Sequence, residues 1–384
     1  MRNKEIIYLD YNATTPCLPE VVEELKLYSC EYFANPSSGH VFGRFVREKL
    51  YDFRKKVADL INAEPEEIVF TSGGTEANHL ALFGIALEKG KGHLLISSFE
   101  HPSVLNPAVR LLEMGFKVDF IPINSYGYVE IEEIEKRIKS DTILVSLMMA
   151  NNEIGTIQPV KEIAKLCKER GIFFHTDACQ AVGKIPVDVK DIDCDLLSMA
   201  GHKMYAPKGI GALYIRKGIK INPLFLGGGQ ERGLRAGTEP VSLIAGLAKA
   251  SEIAKRDVPF EKERQVYLRE KLFSGLKEIY PELFRYGIPE NTLPNTLTVS
   301  FVGKNGAKIL EDLPQICAST GSACHDRKGS HTLLAMKISQ EISEGTIRFS
   351  LGKYTNEEEI EKVLEIFTQY FKKNVKKNQL PFSY

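Results

Sequence analysis

The sequence predicts an α/β fold, with a large domain on a mostly parallel central sheet and a smaller α+β C-terminal domain. Two observations carry this. First, several short apolar runs lack the alternation of a half-buried strand, and each ends in a polar or glycine-rich cluster that opens a helical pattern. "IVF" runs into "TSGGTEANHLALFGIALEKG", and "LLISS" runs into "FEHPSVLNPAVRLLEMG". Such runs mark strands covered on both faces, as in a parallel sheet between helical layers. Second, 384 residues exceed one ordinary core, so the length predicts two domains.

The same rhythm continues along the chain. "TILVSLMMA" precedes "NNEIGTIQPVKEIAKLCKERG", and "IFFHTDACQ" and "LLSMAGHK" follow. Open sheets of this kind bind ligands beyond the carboxyl ends of their strands. The pattern therefore brings Thr75, His101, Asn152, Asp177, His202 and Lys203 to one rim. After "GLAKASEIAKRD" the character changes. "EKERQVYLREKLFSGLKEIYPELF" reads as a long amphipathic helix, "NTLTVSFVG" and "TIRFSLGKYT" as strands, and "NEEEIEKVLEIFTQYFKK" as a closing helix. The expected large domain is 16–250, and the small one is 1–15 with 251–384.

Composition narrows the function. The 43% apolar and 26% charged content is that of a globular protein. Lys+Arg and Asp+Glu balance at 50 each, which leaves no electrostatic footprint for nucleic acid. "KKNVKK" near the C-terminus reads as a solvated helix face. Seven scattered cysteines make no disulfide framework, so a reducing, cytoplasmic compartment is expected. The opening "MRNKEIIYLD" has an apolar run too short for a signal peptide. No stretch approaches the roughly 18 apolar residues of a membrane span.

The rim clusters carry chemistry. "TSGGTEANHL" sets two glycines and a threonine where a strand hands over to a helix, a place that favours a phosphate; it also fits a plain strand–helix turn. Asp177 ends an apolar strand, where a carboxylate calls for a cation such as a protonated ring nitrogen, or else caps the next helix. His175, Asp177 and Cys179 could be scored as a metal cluster, but no second histidine pair or CxxC completes one. Lys203, among glycines at a strand end, suits a nucleophilic amine; the alternative is a surface lysine with a packed stem. An anion cradle, a carboxylate, an amine and an imidazole together meet the requirements of pyridoxal phosphate.

With these residues in place, the chain resembles a cysteine desulfurase of the class-V aminotransferase branch of fold-type I pyridoxal-phosphate enzymes. The resemblance runs nearly end to end, through "YLDYNATTP", "NPSS", "FTSGGTEANHLAL", "EHPSV", "ANNEIGTIQP", "HTDACQAVGK", "GHKMYAPKGIGALYIR", "GGGQERGLRAGT", "GSACH" and "TIRFSLGKYT". It implies that Lys203 carries the cofactor covalently, Asp177 pairs with the ring nitrogen, Gln180 bonds the ring oxygen and His101 stacks on the ring. Gly74, Thr75 and His202 would bind the phosphate, with Thr238 reaching in from the second subunit of a homodimer. Asn152 would touch cofactor and substrate, Arg348 would grip the substrate carboxylate, and Cys324 would be the nucleophile. The implied reaction takes sulfur from L-cysteine, leaves L-alanine and loads a persulfide on Cys324. That sulfur would pass to an acceptor or iron–sulfur scaffold protein, or to thiolation.

"ICASTGSACHDRKGSH" holds that cysteine on a loop of small residues, where His325 could lower the thiol pKa. A Cys317/Cys324/His325/His331 metal site is the competing reading; its spacing matches no common zinc pattern, and Cys317 closes an apolar run that suits a buried thiol. Two features depart from the family pattern. Ala200 stands where the family usually has a phosphate-binding serine, and the loop after Cys324 is slightly short. "GHK" and "GSACH" are also similar to selenocysteine lyases, which leaves selenocysteine as an alternative substrate. A non-enzymatic metal- or partner-binding scaffold is an alternative of another class, opposed by the retained Lys203, Asp177, His101 and Cys324. "GGGQERG" is not the G-x-G-x-x-G of a nicotinamide dehydrogenase.

Overall fold

The computed structural model describes residues 6–320 and 330–378, so Cys324 and His325 lie outside the described residues. The chain opens with β1 (Ile7–Tyr8), α1 (Pro19–Cys30), α2 (Val41–Leu60), β2 (Ile68–Thr71), α3 (Gly74–Lys89), β3 (His93–Ser97) and α4 (Pro102–Glu113). It continues with β4 (Lys117–Ile121), α5 (Ile131–Glu135), β5 (Thr142–Ser146), α6 (Val160–Glu169), β6 (Phe173–Asp177), α7 (Val189–Ile192), β7 (Leu196–Ala200) and β8 (Gly211–Ile215). Then come α8 (Val241–Ile279), β9 (Leu283–Arg285), β10 (Thr296–Phe301), α9 (Gly306–Asp312), β11 (Ile316–Cys317), α10 (His331–Ala335), α11 (Gln340–Ser343), β12 (Thr346–Ser350) and α12 (Glu357–Asn378).

Two compact units result. One comprises Thr14–Asn152 and Thr156–Pro259; the other comprises the described residues up to Ala13, Glu153–Gly155 and those from Phe260 on. The sequence places a boundary at residue 250, which falls inside the continuous α8. No described helix is long and apolar enough to cross a membrane.

The larger unit holds a seven-stranded sheet in the order β2-β8-β7-β6-β5-β3-β4. All neighbours from β7 to β4 pair in parallel. β8 alone is antiparallel, to both β7 and β2, so β2 runs with the rest. The strands β2, β3 and β7 are buried throughout, as their unbroken apolar runs require. α3 seals one face, where Leu80, Leu82 and Ile85 pack with Leu94, Ile96, Leu144 and Leu196.

In the smaller unit, β10 pairs antiparallel with both β9 and β12. β1 adds in parallel to β11 through Ile7↔Ile316 and Tyr8↔Cys317. Leu272 and Leu276 of α8 and Val363 and Phe367 of α12 build its core against Phe301 and Phe349. Cys317 is half-buried, less enclosed than its apolar run suggests.

One buried ion pair ties the "GGGQERG" loop to the sheet edge. Glu231 and Arg232 hold left-handed backbone, φ 47° and 57°, which is strained for residues with a Cβ. The Arg54 guanidinium meets both Glu231 oxygens, Nη1 to Oε2 at 2.7 Å and Nη2 to Oε1 at 2.6 Å. Glu231 Oε2 also accepts from Phe70 N at 2.9 Å, and Ile68 O accepts from Arg54 and Arg232. These side chains cap the outward backbone groups of the edge strand β2. Glu231→Ala would strand Arg54 and the Phe70 N–H in a buried place. We expect a loss of about 3–5 kcal/mol, read as a lower denaturant midpoint.

Candidate active site

Gly74, Thr75, His101, Asn152, Asp177, Gln180, His202 and Lys203 sit at or just beyond the carboxyl ends of the parallel strands of the larger unit. α3 begins three residues after β2, with Gly74 in its first turn and Thr75 exposed beside it. A Cβ on Gly74 would lie 2.5 Å from Cys179 Sγ and 3.3 Å from Ala200 Cβ. Only glycine lets the helix start press so closely on the ends of β6 and β7. Ala200 is therefore part of the floor beneath that helix start. The first N–H groups of α3 have no partner within the helix and face outward with its positive end.

Asp177 closes β6 and is 5% exposed. Its Oδ1 accepts from Cys179 N at 2.9 Å and its Oδ2 from Asn78 Nδ2 at 2.7 Å. Both donors are neutral, and among the described residues no cation lies within ion-pair distance of Asp177. The same Asn78 Nδ2 donates to Ser103 Oγ at 2.9 Å, and Ser103 Oγ lies 2.8 Å from His101 Nδ1. His101 is the N-cap of α4, with Pro102 at the first helical position, and its Nδ1 accepts from Ser103 N at 3.1 Å. An accepting Nδ1 puts the proton of the neutral ring on Nε2, the end away from Ser103.

Lys203 ends the turn Gly201–Lys203 that follows β7 and is half-buried. His202 beside it lies 3.2 Å from Thr14 Oγ1 through Nδ1, and its carbonyl accepts from Thr15 N at 3.0 Å. Burial pushes the His202 pKa down to about 4, and the positive charges of Lys203, Lys208 and Lys184 add to this. A place where three lysines converge on a neutral imidazole suits a dianion. Gln180 is buried, and its Oε1 accepts from Lys184 Nζ at 2.6 Å. Gly183 of that turn has φ +82° and would place a Cβ 2.6 Å from Met204 Cβ, next to Lys203. Together these groups complement a pyridinium, an aldehyde and a phosphate.

Asn152 is half-buried on the segment after β5. Thr238 stands exposed before α8, on a 610 Å³ opening also lined by Ser72, Glu76 and Arg235. Arg348 belongs to the smaller unit. It is 4% exposed on β12, its Nη2 bonds Asp10 Oδ1 at 2.6 Å, and its backbone pairs with Ser319. Glu153 of the same unit accepts from Ser330 and, at 2.9 Å, from Thr332, the first turns after the stretch that holds Cys324.

Three residues of this region escape sequence reasoning, Asn78, Glu100 and Ser103, and a fourth, His175, takes another role than the one weighed for it. Glu100 is fully buried and accepts from Ser97 Oγ and from Met148 N at 2.6 Å, tying the turn before His101 to the chain after β5. Burial pushes its carboxyl up to about 8; the Ser97 bond opposes this and the Asp177 charge adds to it. His175, which the sequence reading weighed and set aside as a metal ligand, spans three strands. Its Nδ1 meets Ser146 Oγ at 2.8 Å and its Nε2 Ser198 Oγ at 3.0 Å. Burial pushes its pKa down to about 4, against the Asp177 charge, so it is a neutral core histidine. The available signal was a polar residue on an otherwise apolar buried face.

Comparison with known proteins agrees with this chemistry. The model of the family described as Aminotransferase class-V matches residues 7–363. A "Cysteine desulfurase IscS" of Clostridium botulinum (strain Kyoto / Type A2) is 46% identical over 378 residues, covering 96% of this chain and 95% of the relative. A solved "NIFS-LIKE PROTEIN" superposes with a TM-score of 0.90 at 39% identity, covering 96% of this chain and 99% of that one. Another, "SspA in complex with cysteine", gives 0.80 at 36% identity, covering 91% and 99%. The chain belongs to the class-V aminotransferase family, in its cysteine desulfurase branch.

Proposed function

We propose that this protein is a pyridoxal-phosphate-dependent cysteine desulfurase that takes sulfur from L-cysteine, releases L-alanine and holds the sulfur as a persulfide on Cys324. Asp177 carries the reading: a buried carboxylate with only neutral donors around it among the described residues calls for a cation such as a protonated ring nitrogen. Bound there, pyridoxal phosphate would supply an electron-withdrawing ring that loosens bonds at the substrate Cα.

The chain's own residues do the rest. Lys203 would carry the cofactor and, once displaced by substrate, hold and return the proton at Cα. Asp177 would keep a proton on the nitrogen facing it. His101, with Nδ1 fixed by Ser103, would lie over the ring and present Nε2–H. Gly74 and Thr75 N–H groups and the neutral His202 would bind the phosphate, without a hydroxyl from Ala200. Gln180 would bond the ring oxygen, and Asn152 and Arg348 would hold the substrate. Asp10 fixes the Arg348 guanidinium plane. The Cys324 thiolate would attack the substrate sulfur, taking it as a persulfide while the bond to carbon breaks.

Thr238 from a second copy would complete the phosphate site in a homodimer. Phe225 and Leu226, 53% and 87% exposed on the same loop, are the apolar surface such a contact would cover. The sulfur would pass in the cytoplasm to an iron–sulfur scaffold or thiolation protein. Mass spectrometry after incubation with free cysteine tests the reading. The peptide containing residue 324 should gain one sulfur atom, with alanine formed in equal amount. An unmodified peptide under cysteine, with selenium released only from selenocysteine, would replace this reading with a selenocysteine lyase.

A further inference from the structure

We propose that Asn78 is a positioning residue that locks Asp177 and His101 into one unit, an inference that rests on the cofactor reading above. Asn78 is fully buried on α3, one turn after Gly74. A carboxylate only accepts, so the atom 2.7 Å from Asp177 Oδ2 must be the amide nitrogen. That nitrogen spends its second hydrogen on Ser103 Oγ at 2.9 Å, and Ser103 in turn holds His101 Nδ1 through both its hydroxyl and its N–H. One amide thus links the carboxylate that would pair with the ring nitrogen to the imidazole that would stack on the ring.

The other end of the amide shows why packing alone does not explain the residue. Asn78 Oδ1 is buried and has no hydrogen-bond partner among the described residues. That unsatisfied oxygen is a cost that an apolar side chain would avoid, so asparagine is kept here for the two bonds its nitrogen makes. The titratable groups facing Asp177 are Glu100 from the β3–α4 turn and His175 and Cys179 from its own strand and turn. Lys203, after β7, acts on Cys179. His101 faces Ser103. All are unchanged in Asn78 variants, so differences from wild type report Asn78 itself.

The test uses wild-type, Asn78→Leu and Asn78→Asp proteins loaded with pyridoxal phosphate. The visible absorption band is followed between about pH 6 and 9, with kcat and KM for cysteine. Asn78→Leu should lower kcat about 10- to 100-fold with KM little changed and shift the band. In Asn78→Asp two carboxyls at hydrogen-bond distance share one proton. While protonated, the introduced carboxyl donates as the amide did. As pH rises the proton leaves and repulsion sets in, so this variant should gain an alkaline fall in kcat that wild type lacks. Variants equal to wild type in band, kcat and pH profile overturn the proposal; if the leucine variant does not fold, the aspartate variant decides alone. A wild-type protein with no visible band overturns the cofactor reading itself, before any variant is compared.

Discussion

Lys203→Ala is expected to abolish the visible absorption of the protein and to slow cysteine turnover on the order of 10⁴-fold, while Cys324→Ala keeps the absorption and forms no persulfide. The two losses separate because the residues act at different atoms. Lys203 follows the carboxyl end of β7 beside His202, on the rim that also bears Asp177 and the start of α3. Its amine is the only nucleophilic group proposed here for an aldehyde, so its removal takes the tether and the proton carrier together. It also removes the first of the three positive charges that bear on His202, which weakens the hold on a phosphate. In the proposed reaction Cys324 would act on the substrate's sulfur, in its last step. Absorption spectra and mass spectrometry of the residue-324 peptide read the two steps independently. A colourless Cys324→Ala protein, or a coloured Lys203→Ala protein that turns over cysteine, would contradict the assignment.

The sheet and its rim were legible because burial on both faces leaves an unmistakable mark. "LLIS" and "LLSMA" have no polar alternation to mislead, and β3 and β7 stand where those runs are. Strand direction leaves no such mark, so nothing in "GALYI" distinguishes antiparallel β8 from its parallel neighbours. The edge strand β4, "KVDFI", is partly exposed and gave no apolar run to read. The change of character near residue 250 marks no break, since α8 runs on through it and through Pro259. At the site, residues marked by motif, such as Asp177 and His101, were readable one at a time. Their connection was not. Asn78 and Ser103 are ordinary polar letters in helical stretches, and only the approach of α3 to α4 and β6 turns them into a network.

Asp177→Asn should cost about 10²–10³-fold in kcat, comparable to losing an electrostatic partner of a transition state, while leaving the fold as stable as before. The first half follows from charge. A neutral amide cannot keep a facing ring nitrogen protonated, so the electron-withdrawing power of the cofactor falls although its tether at Lys203 is intact. The second half follows from the hydrogen bonds. Asp177 accepts on both oxygens, from Cys179 N and from Asn78 Nδ2. An introduced amide can still accept from Cys179 N, but its nitrogen then faces the Asn78 nitrogen. Asn78 can answer by turning its own amide over. Its Oδ1, buried without a partner among the described residues, would then accept from the new amide, and the single Ser103 hydroxyl hydrogen would turn from His101 Nδ1, which keeps the Ser103 N–H, to that oxygen. The bond between the two side-chain amides is remade in the opposite sense, one hydroxyl bond moves from His101 to Asn78, and a buried charge with no cation beside it among the described residues is gone. Denaturant midpoints of the cofactor-free proteins should therefore match, or rise in the variant, while kcat collapses. A variant that instead unfolds readily would show that the negative charge of Asp177 serves the fold rather than the chemistry.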